Sequence, residues 1–258
     1  MNMEHKMLEA LQSQRFCKKL NDNTFNFIPE GEQPEWSRLL DEYWLSQAQK
    51  PDMPKRYTAA CEEASKSSVL KKYFSFITEK GGIIVDLASG PSGYFAPAFD
   101  LLKETDLFIA ADGSKTILEA HAAANKENPN FMAVCIDLDK PLPFRDNSID
   151  VMCGNLLDNV EGYKDLIREI YRCLKPGGRY GVIDLFYEEG SRTFAYLSEK
   201  NAVYSSFNYY VSFCREAGFH FLESQLMKTI KGKLQQEDLL PICEDDVAEM
   251  RTIYFEKK

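Results

Sequence analysis

The chain has 258 residues, with 31 Lys and Arg against 40 Asp and Glu and a formal net charge of −9. Its 44% hydrophobic and 12% aromatic content is enough for a sizeable core and excludes a wholly disordered chain. The acidic balance opposes the phosphate attraction that supplies most non-specific nucleic-acid affinity, so a general nucleic-acid binder is not expected.

No apolar run approaches the roughly 18 residues needed to span a bilayer, and the charged opening segment lacks a signal-peptide core. The expected location is therefore cytoplasmic, with no membrane partner. The seven cysteines are scattered and never form a CxxC pair. The three histidines, His5, His121 and His220, do not cluster. No HExxH spacing and no GxSxG elbow occurs, so neither a protein-built metal site nor a Ser-His-Asp hydrolase is expected.

In chain order, Met7, Leu8, Leu11, Phe16 and Leu20 suggest an opening helix, and residues 21–34 read as a loop broken by Asn, Asp, Gly and Pro. Trp36, Leu39, Leu40, Tyr43 and Trp44 recur at helical spacing. After Pro51 and Pro54 another helix runs from about Ala59 to Ile77. With no strand signal before Gly81, residues 1–80 read as a helical cover over a substrate pocket. A chain starting near Val69 is then expected to keep the cofactor site and lose turnover.

From residue 81 to 258 short apolar runs alternate with helical stretches. The runs are 83–87, 107–111, 132–136, 149–154 and 180–185, and the intervening helices include 114–125 and 162–174. Such alternation predicts a doubly wound α/β domain with a mainly parallel sheet covered on both faces. An aromatic insertion at about 187–210 follows. Within it Val203, Phe207, Tyr210, Val211 and Cys214 form one helical face, leaving Tyr187, Tyr196 and Tyr209 as pocket candidates. Two further strands, 219–226 and 250–256, form an antiparallel pair.

The segment Ile83-Ile84-Val85-Asp86-Leu87-Ala88-Ser89-Gly90-Pro91-Ser92-Gly93 joins the first core strand to a helix. Small residues there let a ligand approach the backbone, and an acid closing the second strand, Asp112, suits ribose hydroxyls. Ala88-x-Gly90-x-x-Gly93 with Asp112 also passes as a dinucleotide fingerprint. Asp86 argues against that, because a carboxylate at the loop mouth repels pyrophosphate and attracts a cationic ligand. The alternative is that Asp86 only caps the helix or pins the loop.

Val85 to Gly93 resembles the first motif of class I S-adenosylmethionine-dependent methyltransferases. Three more segments are similar and in order: Ala111-Asp112-Gly113-Ser114, Asp137 to Asp150, and Leu174-Lys175-Pro176-Gly177-Gly178-Arg179. The resemblance covers about 82–226 and implies a seven-stranded Rossmann-like sheet with an antiparallel C-terminal strand. It implies that S-adenosylmethionine, leaving as S-adenosylhomocysteine, packs on Ala88, Ser89 and Gly90 with its ammonium near Asp86. Asp112 and Gly113 would hold the ribose, Asp137 and Leu138 the adenine, and Asn155 and Leu156 would flank the sulfonium. The sequence departs from the family at Ala88, where a glycine is usual, and at Asn159, where many relatives have histidine. The expected activity is methyl transfer to nitrogen or oxygen of a small molecule, with Tyr57, Asn159, Asp184 and Tyr187 as pocket candidates. Asp184 either orients substrate or caps the next segment, His121 is expected at the surface, and no catalytic base is identified. A nicotinamide-dependent oxidoreductase and a non-catalytic cofactor-binding module are the rivals; the first leaves the Leu142-Pro143-Phe144 and Lys175 to Gly178 segments unexplained.

Overall fold

A computed structural model describes residues 3–12, 17–48, 62, 64–90, 95–233 and 241–258. One nine-stranded sheet runs through the molecule, in the order β1-β2-β5-β4-β3-β6-β7-β9-β8. Its centre is β3 (Ile83–Leu87), β4 (Leu107–Asp112), β5 (Phe131–Cys135), β6 (Ile149–Asn155) and β7 (Leu174–Tyr187), all parallel. β3, β4 and β5 are buried at every position, as expected of apolar strands with both faces covered. β8 (Phe219–Lys231) and β9 (Val247–Lys257) pair antiparallel, and β9 lies between β7 and β8.

The first 80 residues are not wholly helical. They carry α1 (Met3–Ala10), the hairpin β1 (Lys18–Asn21) and β2 (Thr24–Asn26), α2 (Glu35–Ala48) and α3 (Ser68–Glu79). β2 extends the sheet by parallel pairing with β5, which accounts for nine strands where seven were expected. Leu20, expected on a helix, lies on β1 and is exposed. Strands of three and four residues are too short to show a period, and the turn between them is built by Asn21, whose Oδ1 accepts from the Asn23 amide at 3.1 Å. Met7, Leu11 and Phe25 are buried in the same core as β3 to β6.

α3 starts at a Ser67 cap whose hydroxyl accepts from the Leu70 amide, and it buries Leu70, Tyr73, Phe74 and Ile77. It lies so close to β7 that a Cβ on Gly181 would meet Tyr73 at 3.1 Å and Ile77 at 3.2 Å. The Tyr73 hydroxyl donates to the Gly181 carbonyl at 2.9 Å, so the helix is fixed over the strand by a polar as well as an apolar contact. α4 (Ala96–Phe99), α5 (Lys115–Ala124) and α6 (Tyr163–Cys173) cross between strands, and α7 (Arg192–Glu199) and α8 (Phe207–Glu216) form the insertion.

Because β2 closes the edge beside β5, removal of residues 1–68 strips a paired strand and part of the core. Such a chain is expected to aggregate or lose its cooperative thermal transition rather than remain folded. Phe25→Ala alone should cost about 3–5 kcal/mol in denaturant unfolding, the scale of a deleted buried aromatic. A cooperative transition retained by the truncated chain would show that the N-terminal segment is an independent cover.

Candidate cofactor and acceptor site

In an open parallel sheet, ligands bind beyond the carboxyl ends of the strands where the order of strands reverses. Here the chain runs outward from β3 through β4 to β5 on one side and through β6 to β7 on the other, so the reversal falls between β3 and β6. Strand register aligns the expected site residues along that edge. Leu87 faces both Ala111 and Gly154, Asp112 faces Cys135, and Asn155 faces Ile183.

Leaving β3, the backbone turns sharply. Ala88 takes a left-handed conformation at φ 52° and Gly90 follows at φ 59°. An alanine there accepts strain that a glycine would not feel, which is the physical meaning of the departure from the family pattern. The turn is held by the Ser89 amide donating to the Ala111 carbonyl at 3.2 Å and by the Ser89 hydroxyl donating to the Asp86 carbonyl at 3.0 Å. Pro91, Ser92 and Gly93 lie outside the described residues.

Asp112 is buried and ties this loop to the next one. Its Oδ2 accepts from the Gly90 amide at 3.1 Å, and its Oδ1 from the Ser114 amide at 2.8 Å. The Gly113 amide also favours the charged form of this carboxylate, and with about four acceptor positions a carboxylate so held can still accept from a ligand's hydroxyl. Burial, opposed by these amides, pushes its carboxyl up to about 6.

Asp86 lies beneath the loop, fully buried, with the Cys153 thiol donating to its Oδ1 at 3.6 Å. Burial pushes its carboxyl up to about 8; Ser89 and Cys153 oppose the rise and Asp112 adds to it. Asp86 is therefore largely protonated at neutral pH without a cation beside it.

Farther along the edge, Asp137 is half-buried with its carboxyl raised by burial, and Leu138 is buried. Asn155 carries a buried Oδ1 that has no hydrogen-bond partner among the described residues. Leu156 takes a second left-handed conformation, φ 54° and ψ 63°, while its amide donates to the Ile183 carbonyl at 2.9 Å. An orphaned acceptor and two strained non-glycine residues on one edge mark a place where something else completes the structure.

The pocket candidates are divided by the fold. Asp184 is fully buried: its Oδ2 accepts from the Tyr163 hydroxyl at 2.8 Å and its Oδ1 from the Leu185 amide at 2.9 Å. Tyr163 contacts the Tyr210 hydroxyl at 3.1 Å, which contacts that of Tyr180 at 2.9 Å. Burial, and then the Asp158 carboxylate, hold the Asp184 carboxyl well above the usual range. Tyr187 is buried in register with Ala248, Asn159 is exposed, and Tyr57 lies outside the described residues. Of the tyrosines expected off the helical stripe, Tyr196 is exposed, and Tyr209 donates to Asn201 at 2.8 Å while accepting from Lys164 at 2.6 Å. These two belong to the surface of the insertion.

His121, expected at the surface, is half-buried on α5 with its Nε2 2.6 Å from the Gly90 carbonyl. A carbonyl only accepts, so Nε2 carries a proton, and burial lowers the ring's pKa while the bond to Gly90 opposes that fall. Its position one helix away from the loop left no local signal. Ser114 had one, a serine preceding a helical run: its hydroxyl accepts from the Ile117 amide and caps α5.

Folding raises the Asp86 pKa from 3.8 to about 8, so the native state binds the extra proton and loses stability as pH rises between those values. Asp86→Asn removes this penalty. Its melting temperature relative to the native protein is expected to rise between about pH 5 and pH 8; a constant difference across that range would show that Asp86 is already ionised.

The fit to a ligand follows from the donor set. Two acidic groups and an orphaned amide oxygen, on an edge lined by small residues, suit a ribose and an ammonium and oppose a pyrophosphate. Residues 85–182 match the model of a methyltransferase domain. The chain is 31% identical over 112 residues to the ubiquinone/menaquinone biosynthesis C-methyltransferase UbiE of Pseudoalteromonas translucida, covering 41% of this chain and 43% of that one. It is 54% identical over 44 residues to demethylmenaquinone methyltransferase of Listeria welshimeri, 17% of this chain and 19% of that one. Thus the matched part spans less than half the length of these curated relatives. Geranyl diphosphate C-methyltransferase of Streptomyces coelicolor, solved with Mg2+, geranyl diphosphate and S-adenosyl-L-homocysteine, shares the fold with a TM-score of 0.58 at 12% identity, over 81% of this chain and 85% of that one. The loop after β3, the acid at the end of β4 and residues 175–178 at the start of β7 all fall within the residues that match the methyltransferase-domain model, and the fold is that of the S-adenosyl-L-homocysteine-bound neighbour.

Proposed function

We propose that this protein transfers a methyl group from S-adenosylmethionine to a small-molecule acceptor. The observation that carries the reading is the convergence of Asp86, Gly90, Asp112, Asp137 and Asn155 at the carboxyl ends of four adjacent parallel strands. When bound, S-adenosylmethionine supplies an electrophilic methyl group on a sulfonium. Asp112 accepts from the ribose hydroxyls, with Gly113 beside it. Asp86, below Ala88, Ser89 and Gly90, offers its charge to the ammonium. Asp137 accepts from the adenine amine, and Leu138 backs the ring. Asn155 and Leu156 border the reacting end.

Methyl transfer by in-line displacement asks an enzyme to aim the acceptor and exclude water more than to move protons. The buried, mutually hydrogen-bonded Asp184, Tyr163, Tyr210 and Tyr180 form an interior cluster packed against β7, which supports a rigid backing for that half of the edge. We assign the acceptor to the side of the edge bordered by Asn159, Asp184 and Tyr187, with Tyr57 as a further candidate and residues 1–80 contributing a wall. The accepting atom, expected as nitrogen or oxygen, is extended to carbon because UbiE and the geranyl diphosphate enzyme are C-methyltransferases. A polyanionic acceptor is disfavoured: of the basic cluster Lys228, Lys231 and Lys233, Lys231 is paired with Asp245 at 3.0 Å.

Calorimetry is expected to show binding of S-adenosylmethionine and S-adenosylhomocysteine and none of NADH; the reverse would end the reading. Asp112→Ala should weaken the binding by about 1.5–3 kcal/mol and His121→Ala by about 0.5–1.5 kcal/mol, the scales of charged and neutral hydrogen bonds. If Asp86 ionises beside a bound ammonium, binding releases a proton and tightens as pH rises toward 8. Radiolabelled S-adenosylmethionine incubated with a metabolite extract and with bulk RNA should label the small-molecule fraction; label in RNA alone would refute a small-molecule acceptor.

A further inference from the structure

The turn Asp112-Gly113-Ser114 is held from outside the parallel core, by α2. Ser114 donates its hydroxyl to Asp41 Oδ1, and the Thr116 amide donates to the same oxygen at 3.2 Å. The Ser37 hydroxyl donates to the Gly113 carbonyl at 2.5 Å. Gln33 fixes both α2 groups from one amide nitrogen, donating to Asp41 Oδ2 at 2.7 Å and to the Ser37 hydroxyl at 3.1 Å. Ser37 is fully buried. A helix that only covered apolar surface would have no use for a buried hydroxyl and a carboxylate at its contact, since each costs free energy unless it is paired.

The contacts run on without a break to the cofactor loop. Ser114, gripped by Asp41 through its hydroxyl, gives its amide to Asp112 Oδ1; Asp112 Oδ2 takes the Gly90 amide; and the Gly90 carbonyl takes His121 Nε2 from α5. α5 itself begins at the Ser114 cap and has a second acceptor for its first turn in Asp41. One carboxylate on the N-terminal segment therefore sets the start of α5 and the orientation of the acid assigned to the ribose.

We propose that α2 is a clasp on the cofactor site, with Asp41 as the positioning residue, so that cofactor occupancy and docking of the N-terminal segment strengthen each other. The proposal rests on the assignment of Asp112 to the ribose. Coupling of this kind is reciprocal: whatever α2 adds to cofactor affinity, the bound cofactor returns as stability of α2. The N-terminal segment then reports whether the site is loaded, before any acceptor arrives.

The test uses the full chain with S-adenosylhomocysteine as probe. Asp41→Ala should weaken its binding about tenfold, the scale of one hydrogen bond to a charged group. Asp41→Asn should recover most of that loss, because its Oδ1 still accepts from Ser114 and Thr116 while Gln33 turns its amide to match. Hydrogen exchange over Glu35–Ala48 should slow on addition of S-adenosylhomocysteine in the native protein and respond much less in Asp41→Ala; a merely structural residue would not show that difference. Should Asp41→Ala fail to fold, Ser37→Ala, which removes the donor to the Gly113 carbonyl, is expected to show the same two effects. Unchanged affinity in the folded variant, or exchange over Glu35–Ala48 indifferent to the probe, overturns the clasp alone. A native protein that does not bind S-adenosylhomocysteine overturns the site assignment, and the clasp with it.

Discussion

Two backbone amides, from Gly90 and Ser114, converge on the carboxylate of Asp112, and the functional edge of the sheet depends on that convergence. Without it the loop after β3 would be tied to its neighbours only through Ser89 on Ala111 and through His121 on the Gly90 carbonyl. With it, the left-handed turn at Ala88 and Gly90 has an anchor, and the strain of a non-glycine residue at positive φ, about 1–3 kcal/mol, is offset by bonds that no alternative backbone path would keep. The same economy of placement recurs one strand away. The left-handed Leu156 is held by its amide on Ile183, and at the strand end it terminates the Asn155 oxygen is buried with no partner among the described residues.

The two halves of the edge differ in electrical character. On the cofactor half, Asp86 and Asp112 are kept short of full ionisation by burial, with values near 8 and 6, so a cation entering there meets groups ready to change state. On the other half, Asp184 is committed to Tyr163 and to the amide of Leu185, and the hydroxyls of Tyr163, Tyr210 and Tyr180 form a chain through the interior. One half responds to its ligand; the other holds a shape.

What could be read from residue order follows the same division. β3, β4 and β5 are continuous apolar runs that both faces of the sheet bury, so composition alone located them, and the acids at their ends came with them. The β8–β9 pairing was legible for a similar reason: two long β-rich runs with no helix pattern between them. The hairpin β1–β2 was not, because three and four residues carry no period and its parallel partner β5 lies about a hundred residues away in the chain. Asp41 and His121 belong with it. Nothing near Asp41 in the sequence mentions Ser114, and nothing near His121 mentions Gly90; only packing of α2 and α5 against the strand ends brings them there.

The position of β9 bears on how the protein is made. It fills the gap between β7 and β8, burying Ile253, Tyr254 and Phe255, and the Lys257 ammonium donates to Asn147 Oδ1 and to the carbonyls of Tyr171 and Leu174 within 2.7–2.9 Å. During synthesis β7 is complete some sixty residues before its neighbour emerges, and β8 has no strand to join until β9 follows it. Over that interval the nascent sheet presents an open apolar edge, the kind of surface that invites pairing with another chain. Residues 247–257 therefore close the sheet last among its strands, and until they are released β7 keeps an unpaired edge.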